Sequence, residues 1–307
     1  MQVFAPLLPI FLLVATGAAL FKSGFLSPES RRGLERFVYW VALPCLLVVK
    51  LAEAPAIGGD ALRMGGAVGA GTLGAALLAW AVAAFRGMPG PTAGTFVQAG
   101  CRGNLAFTAL PVVALASNHD PETNAKAALI LGPLVVLFNV ISVIALVAPH
   151  QRVDFRLPAR LAKSIVTNPL IVACALGWAW PNLVGPLPGV AHETLTLLGR
   201  TAAPLALLCL GGALVAYRLG SQTRRAAASA VVKLVAAPAL AGATAHLLGL
   251  RGDDLRTVLV FAAAPTAVAS YVLTTQLKGD APLAAATIAL STALSALSLA
   301  AALWITA

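Results

Sequence analysis

Apolar runs long enough to cross a lipid bilayer recur about every 30 residues from one end of this chain to the other, and this limits what it can fold into more than any other feature. In hydrocarbon every backbone polar group must be satisfied internally, so a spanning segment is a helix or part of a closed barrel. These runs are continuous rather than alternating, and they are helix-length. Ten segments qualify, over 3–21, 31–52, 61–85, 92–117, 124–148, 160–180, 190–216, 224–248, 255–277 and 282–306. The composition agrees: 59% of the 307 residues are hydrophobic and only 10% are charged, where a soluble domain carries about 25% charged residues. The expectation is an all-α integral membrane protein with ten transmembrane helices in a lipid bilayer. The run over 3–21 has no basic region ahead of it and no small-residue cleavage site after it, so it reads as the first span rather than a leader.

Charge sets the orientation. With the N-terminus outside, thirteen Lys and Arg fall on the inner side against five on the outer side, which the positive-inside rule reads as both termini outside, in a cell inner (plasma) membrane. The net charge of +10 has no basic stripe with interleaved aromatics behind it, so no nucleic-acid partner is expected. Cys45, Cys101, Cys174 and Cys209 lie singly inside apolar runs and read as small core residues. The four histidines lack ligand spacing and no phosphate-binding glycine loop is present, so no metal, no cofactor and no enzymatic chemistry are expected.

Shifting the chain by 160 residues places Pro9 on Pro169, Gly17 on Gly177, Pro28 on Pro188, Pro44 on Pro204 and Asp120 on Asp280. This predicts two five-helix repeats, 1–148 and 160–307, joined by a cytoplasmic linker over 149–159. An odd number of helices per repeat turns the second copy upside down, giving a 5+5 inverted repeat.

The fourth and ninth helices correspond under this shift, and each is interrupted. The fourth carries Arg102-Gly103-Asn104 in mid-run, followed by Pro111; the ninth carries Ala264-Pro265-Thr266 with Ser270 just beyond. Glycine and proline let the chain leave helical geometry, so Gly103 and Pro265 predict breaks. Matched breaks in inverted halves point to a substrate site, because freed amides need partners at membrane depth. Arg102 lies about 15 Å or more from either helix end, too deep to snorkel from a regular helix. All eleven acidic residues sit in loops or at helix ends. One reading is that the counter-charge is an organic anion, for which Arg offers two parallel donors and Asn104 a further one; the other is that Arg102 braces the break by bonding freed carbonyls. In an unbroken helix Asn104 would point away from Arg102, so their convergence depends on the break. Asn139 in helix five could lend a ligand or serve as packing glue. The candidate substrate-binding set is Arg102, Gly103, Asn104, Ala264, Pro265, Thr266, Asn139 and Ser270. Lys233 in helix eight is read as a snorkelling structural residue, and Arg200 as part of the scaffold.

These pieces, Arg36-Phe37-Val38 with Pro44, Arg102-Gly103-Asn104 with Pro111, and Ala264-Pro265-Thr266, resemble the auxin efflux carrier family, which includes bacterial permeases and the plant PIN-formed exporters. The resemblance implies a bile-acid-symporter-like fold and an elevator mechanism. Helices 1, 2, 6 and 7 would form a scaffold that dimerises through helices 2 and 7. Helices 3–5 and 8–10 would form the moving transport domain, and a carboxylate would bind where helices 4 and 9 cross. Asn104 falls at the family's crossover asparagine and Pro265 at the proline of the second crossing helix. Plant exporters carry a polar residue three positions after the helix-two proline, where this chain has Leu47, which argues against auxin itself. The sodium symporters of this fold place a carboxylate in the ninth helix, whereas residues 262–277 contain no Asp or Glu. The reading is a secondary carrier of small organic anions, carboxylates or auxin-like acids; a sodium-coupled carrier, an anion channel and a non-transporting membrane receptor are the alternatives.

Overall fold

The structure is a computed structural model that describes residues 8–53, 59–117, 120–150, 159, 162–163, 166–216 and 222–306. Among the described residues the elements are helical, and each of the ten apolar segments holds one. Helix α1 is Leu8–Lys22. Helix α2 covers 28–52 as Pro28–Phe37, a π turn Val38–Ala42 and Leu43–Ala52. Helix α3 is Gly59–Phe85. Helix α4 is split into α4a, Gly90–Cys101, and α4b, the π turn Leu105–Ala109 followed by Leu110–Ala116. Helices α5, Pro121–Val147, α6, Pro169–Leu183, α7, Gly189–Ala216, and α8, Thr223–Leu247, follow. Helix α9 is split into α9a, Gly252–Ala263, and α9b, Ala269–Gln276, and α10 is Ala281–Ile305.

Five of these, α3, α5, α7, α8 and α10, are long and apolar enough to cross a membrane as single helices. The others are shorter or interrupted. Residues 159, 162, 163 and 166 are already helical, and α6 proper begins at Pro169, where Asn168 caps it: Asn168 Oδ1 accepts from the Leu170 N–H at 3.0 Å. Residues 151–158 of the expected linker lie outside the described residues.

Proline explains the π turns. Those over Val38–Ala42, Leu105–Ala109 and Val232–Ala236 each end two residues before a proline, Pro44, Pro111 and Pro238. A proline lacks the N–H that would close the preceding turn and its ring crowds that turn's carbonyl, and widening the turn relieves both.

Helix packing falls into two sets. Helix α1 lies along α7, and the second half of α2 lies against α6 and α7; α3, α4, α5, α8, α9a and α10 pack among themselves. Contact between the sets runs chiefly through α9b against α2 and α7. Several residues paired by the 160-residue shift play matched parts. Asp120 caps α5 by accepting from Thr123 N–H at 2.8 Å, and Asp280 caps α10 by accepting from Leu283 N–H at 3.0 Å. Gly17 of α1 faces the backbone of α7 at Leu208, and Gly177 of α6 faces the backbone of α2 at Val48. Leu134 and Leu137 line a groove between α3 and α5, and Leu294 and Leu297 line one between α8 and α10.

The α1–α7 contact yields a sharp test. A Cβ on Gly211 would lie 2.0 Å from Val14 O and 2.7 Å from Ala18 N, both backbone atoms that cannot rotate away. Gly211→Ala is therefore expected to force the two helices apart, at about 3 kcal/mol, the upper end of overpacking costs. Gly66→Ala in α3, whose added methyl meets nothing within 4 Å, is expected to be neutral or to stabilise by up to about 1 kcal/mol through helix propensity. Thermal unfolding of the two variants in one detergent checks the contrast.

Candidate functional site

Helices α4 and α9 cross where both leave helical geometry. The last helical bond of α4a is Arg102 N–H to Gln98 O at 3.0 Å. Arg102 itself is extended, with φ −81° and ψ 109°, and Asn104 turns the chain into α4b. Helix α9a stops at Ala263, and α9b does not begin until Ala269. The two irregular stretches pair as a short antiparallel bridge: Asn104 N–H donates to Pro265 O at 2.8 Å, and Ala267 N–H donates to Arg102 O at 3.0 Å. Backbone groups that a bilayer could not satisfy therefore satisfy each other.

Side chains take up the carbonyls at the ends of the half-helices. Thr266 Oγ1 donates to Ala99 O at 2.8 Å, and Ser298 Oγ donates to Ala263 O at 2.9 Å. Lys233 Nζ donates to Ala262 O. Ser291 Oγ accepts from Thr266 N–H at 3.1 Å, and Gln98 Nε2 donates to Ser270 O and Thr274 Oγ1, each at 2.9 Å.

Beside the crossing lies a cavity of about 90 Å³, room for roughly three waters. Its apolar wall comes from Leu43, Leu46 and Leu47 of α2 and from Ala202, Ala203 and Ala206 of α7. The opposite wall comes from Arg102, Gly103, Asn104 and Leu105, from Ala267 to Ala269, and from Val135 and Phe138 of α5. Arg102 and Asn104 are 7% and 5% exposed. Arg102 Nη1 donates to Ser142 Oγ at 3.2 Å, and among the described residues it has no carboxylate partner within ion-pair distance. The arrangement offers a buried guanidinium and a neighbouring amide on one face of a small, otherwise apolar space. Among the described residues no group of three or more His, Cys, Asp or Glu comes together.

The structure brings only part of the sequence-derived candidate set to the cavity. Arg102, Gly103 and Asn104 line it together, because the extended backbone at Arg102 breaks the helical spacing that would have separated the two polar side chains. Ala264 ends α9a, Pro265 and Thr266 take part in the backbone bridge, and the cavity wall from this stretch is Ala267 to Ala269. The Ser270 backbone carbonyl accepts from Gln98 Nε2 and Thr274 Oγ1. Asn139 is fully buried beside Cys174, its Nδ2 3.6 Å from Sγ.

Two features escaped the sequence reading. Lys233 does not snorkel: it is 1% exposed and turned inward to the crossing. Glu35, at a helix end in sequence, is 3% exposed and joined to Arg31 at 3.2 Å and to Tyr271 Oη, which donates to it at 2.8 Å. Arg31 Nη1 also donates to Tyr271 Oη. The i, i+4 spacing of Arg31 and Glu35 was visible in the sequence; Tyr271, on α9b, was not signalled by anything.

The sequence profile described as "Membrane transport protein" matches residues 2–152 and 155–305. Auxin efflux carrier component 5 of Arabidopsis thaliana is 28% identical over 114 residues, 35% of this chain and 32% of the plant protein. Probable auxin efflux carrier component 5c of Oryza sativa subsp. japonica is 29% identical over 133 residues, 39% of this chain and 35% of the rice protein. The chain thus spans about a third of the length of these plant relatives in the matched regions. An uncharacterized transporter of Methanothermobacter thermautotrophicus is 28% identical over 295 residues, covering 95% of this chain and 94% of that one. With the profile running along almost its whole length over a bundle of apolar helices interrupted at one crossing, this chain belongs to the membrane transport protein family, the family of the auxin efflux carriers.

Proposed function

We propose that this protein is a secondary carrier of small organic anions, with carboxylates as the substrate class, working by elevator-type alternating access. The observation that carries this reading is Arg102: a buried guanidinium on the wall of a small cavity, with Ser142 as its side-chain partner and Asn104 beside it. A planar carboxylate supplies the missing negative charge and matches the fork of donors. The apolar wall of α2 and α7, including Leu47, suits the hydrocarbon part of such an acid.

In this reading all ten helical segments cross the membrane, with both termini outside. Helices α1, α2, α6 and α7 form the scaffold of a homodimer joined through α2 and α7, and α3–α5 with α8–α10 form the moving body. The matched caps at Asp120 and Asp280, the matched close approaches at Gly17 and Gly177 and the matched grooves support a 5+5 inverted repeat. The cavity lies between the two packing sets, so their relative displacement would open it to one side and then the other.

The test is a thermal-shift screen of the purified full chain against mono- and dicarboxylates and indole acids. An acid present at about 100 times its Kd stabilises by about 2.7 kcal/mol, which for a chain of this size is expected to raise the unfolding midpoint by roughly 4 °C. A flat response to every acid at millimolar concentration, together with no uptake of those acids into proteoliposomes, would remove the anion-carrier reading.

A further inference from the structure

Lys233 lies on the π turn Val232–Ala236 of α8, and its stem and ammonium are enclosed. Its Nζ donates to Ala262 O, in the last turn of α9a. It also sits under the break in α4: a Cβ built on Gly103 would be 3.4 Å from Lys233 Cε and 3.5 Å from Nζ. The ammonium therefore occupies the space between the C-terminal end of one half-helix and the turn that ends the other. It does not line the cavity, and among the described residues it makes no ion pair.

That space is electrostatically suited to a cation. The last carbonyls of α9a and α4a have no intrahelical partners, and the aligned peptide dipoles leave about half a negative charge at each C-terminal end. Water cannot neutralise them at membrane depth. Neutral hydroxyls serve Ala99 O and Ala263 O, and Arg102 is directed to Ser142 and the cavity, so Lys233 is the cation aimed at these ends. A compact ammonium on a flexible stem fits a helix-end carbonyl such as Ala262 O better than a planar guanidinium does. Small monovalent cations bind to the same kind of oxygen set at half-helix ends.

We propose that Lys233 is a tethered cation that fills a monovalent-cation position beneath the crossing, so that the fold and its anion site need no exchangeable sodium or potassium ion. Lys233 is then a positioning residue: it holds the end of α9a against the Gly103 turn and touches no substrate. This goes beyond the carrier reading, and its stability test does not depend on that reading.

The experiment compares thermal unfolding midpoints of the full-length purified protein in choline, sodium, potassium and methylammonium chloride at equal ionic strength. Wild type is expected to show the same midpoint in all four. Lys233→Ala is expected to lose about 5 °C or more in choline and to regain much of that loss in methylammonium, sodium or potassium, which can enter the emptied space. Lys233→Met, with the stem but no charge, is expected to stay below wild type in every salt. The proposal is overturned by a wild-type midpoint that rises by several degrees in sodium or potassium over choline, by a Lys233→Met variant as stable as wild type, or by a Lys233→Ala variant with one lowered midpoint in all four salts. If Lys233→Ala yields no folded protein, recovery of folding in Lys233→Arg but not in Lys233→Met supports the proposal, and the reverse order overturns it.

Discussion

Replacing Arg102 by alanine is expected to lower affinity for a carboxylate substrate by on the order of 30-fold to several thousand-fold, the equivalent of about 2–5 kcal/mol for truncating one partner of a buried charge pair. Uptake into proteoliposomes should fall in proportion at substrate concentrations below saturation. The variant should nevertheless fold. A buried guanidinium without a carboxylate is held at a solvation cost, and its side-chain bond to Ser142 is worth about 1.5–3 kcal/mol at most. Removing both together leaves the thermal midpoint without ligand close to that of wild type. Arg102→Lys keeps the charge and loses the parallel pair of donors, so an intermediate loss, about tenfold, is expected. If Arg102 only braced the broken helix, the pattern would invert: the midpoint without ligand would drop and the surviving protein would bind acids as tightly as before. Measuring both quantities on the same preparations separates a binding residue from a brace.

The sequence disclosed the parts of this fold that follow from one-dimensional rules. Hydrophobic length placed helices in ten segments, and Gly103 and Pro265 marked where two of them break, because each residue type has its own backbone reason to leave a helix. Asp120 and Asp280 could be seen as partners before their capping bonds were known. What stayed hidden depends on direction in three dimensions. A break can be located to within a residue or two, but which side of it faces a neighbouring helix is set by the crossing partner. For that reason Ala267 to Ala269, and not Ala264 to Thr266, reach the cavity. Lys233 looked like a snorkelling lysine because its depth was legible and its azimuth was not. The π turn at Val232–Ala236, imposed by Pro238, shifts that azimuth by changing the residues per turn. Tyr271 carried no signal at all, since a tyrosine in an apolar helix is ordinary until a carboxylate is found opposite it.

That tyrosine leads to the second large effect. Glu35→Ala is expected to lower the unfolding midpoint by about 5–8 °C, from the roughly 3–5 kcal/mol lost when one member of a buried ionic pair is removed. The physical reason is that Arg31, 7% exposed, keeps its charge out of water when the carboxylate 3.2 Å away is gone. Glu35→Gln retains the volume and an acceptor for Tyr271 and should cost less. Tyr271→Phe separates stability from motion. It leaves Arg31 and Glu35 together on α2 and removes a hydroxyl that ties both of them to α9b, where Thr275 also bonds Glu35, so the loss of stability should stay below that of Glu35→Ala, at about 1.5–3 kcal/mol. Because the proposed carrier puts α9b in the moving body and α2 in the scaffold, sliding one past the other must break this tie once per cycle. Tyr271→Phe should then change the rate of uptake at saturating substrate while leaving affinity unaltered, since the triad does not line the cavity. An unchanged saturating rate would mean that α2 and α9b move as one body, and the division of the helices into scaffold and moving part would have to be redrawn with α9b on the scaffold side.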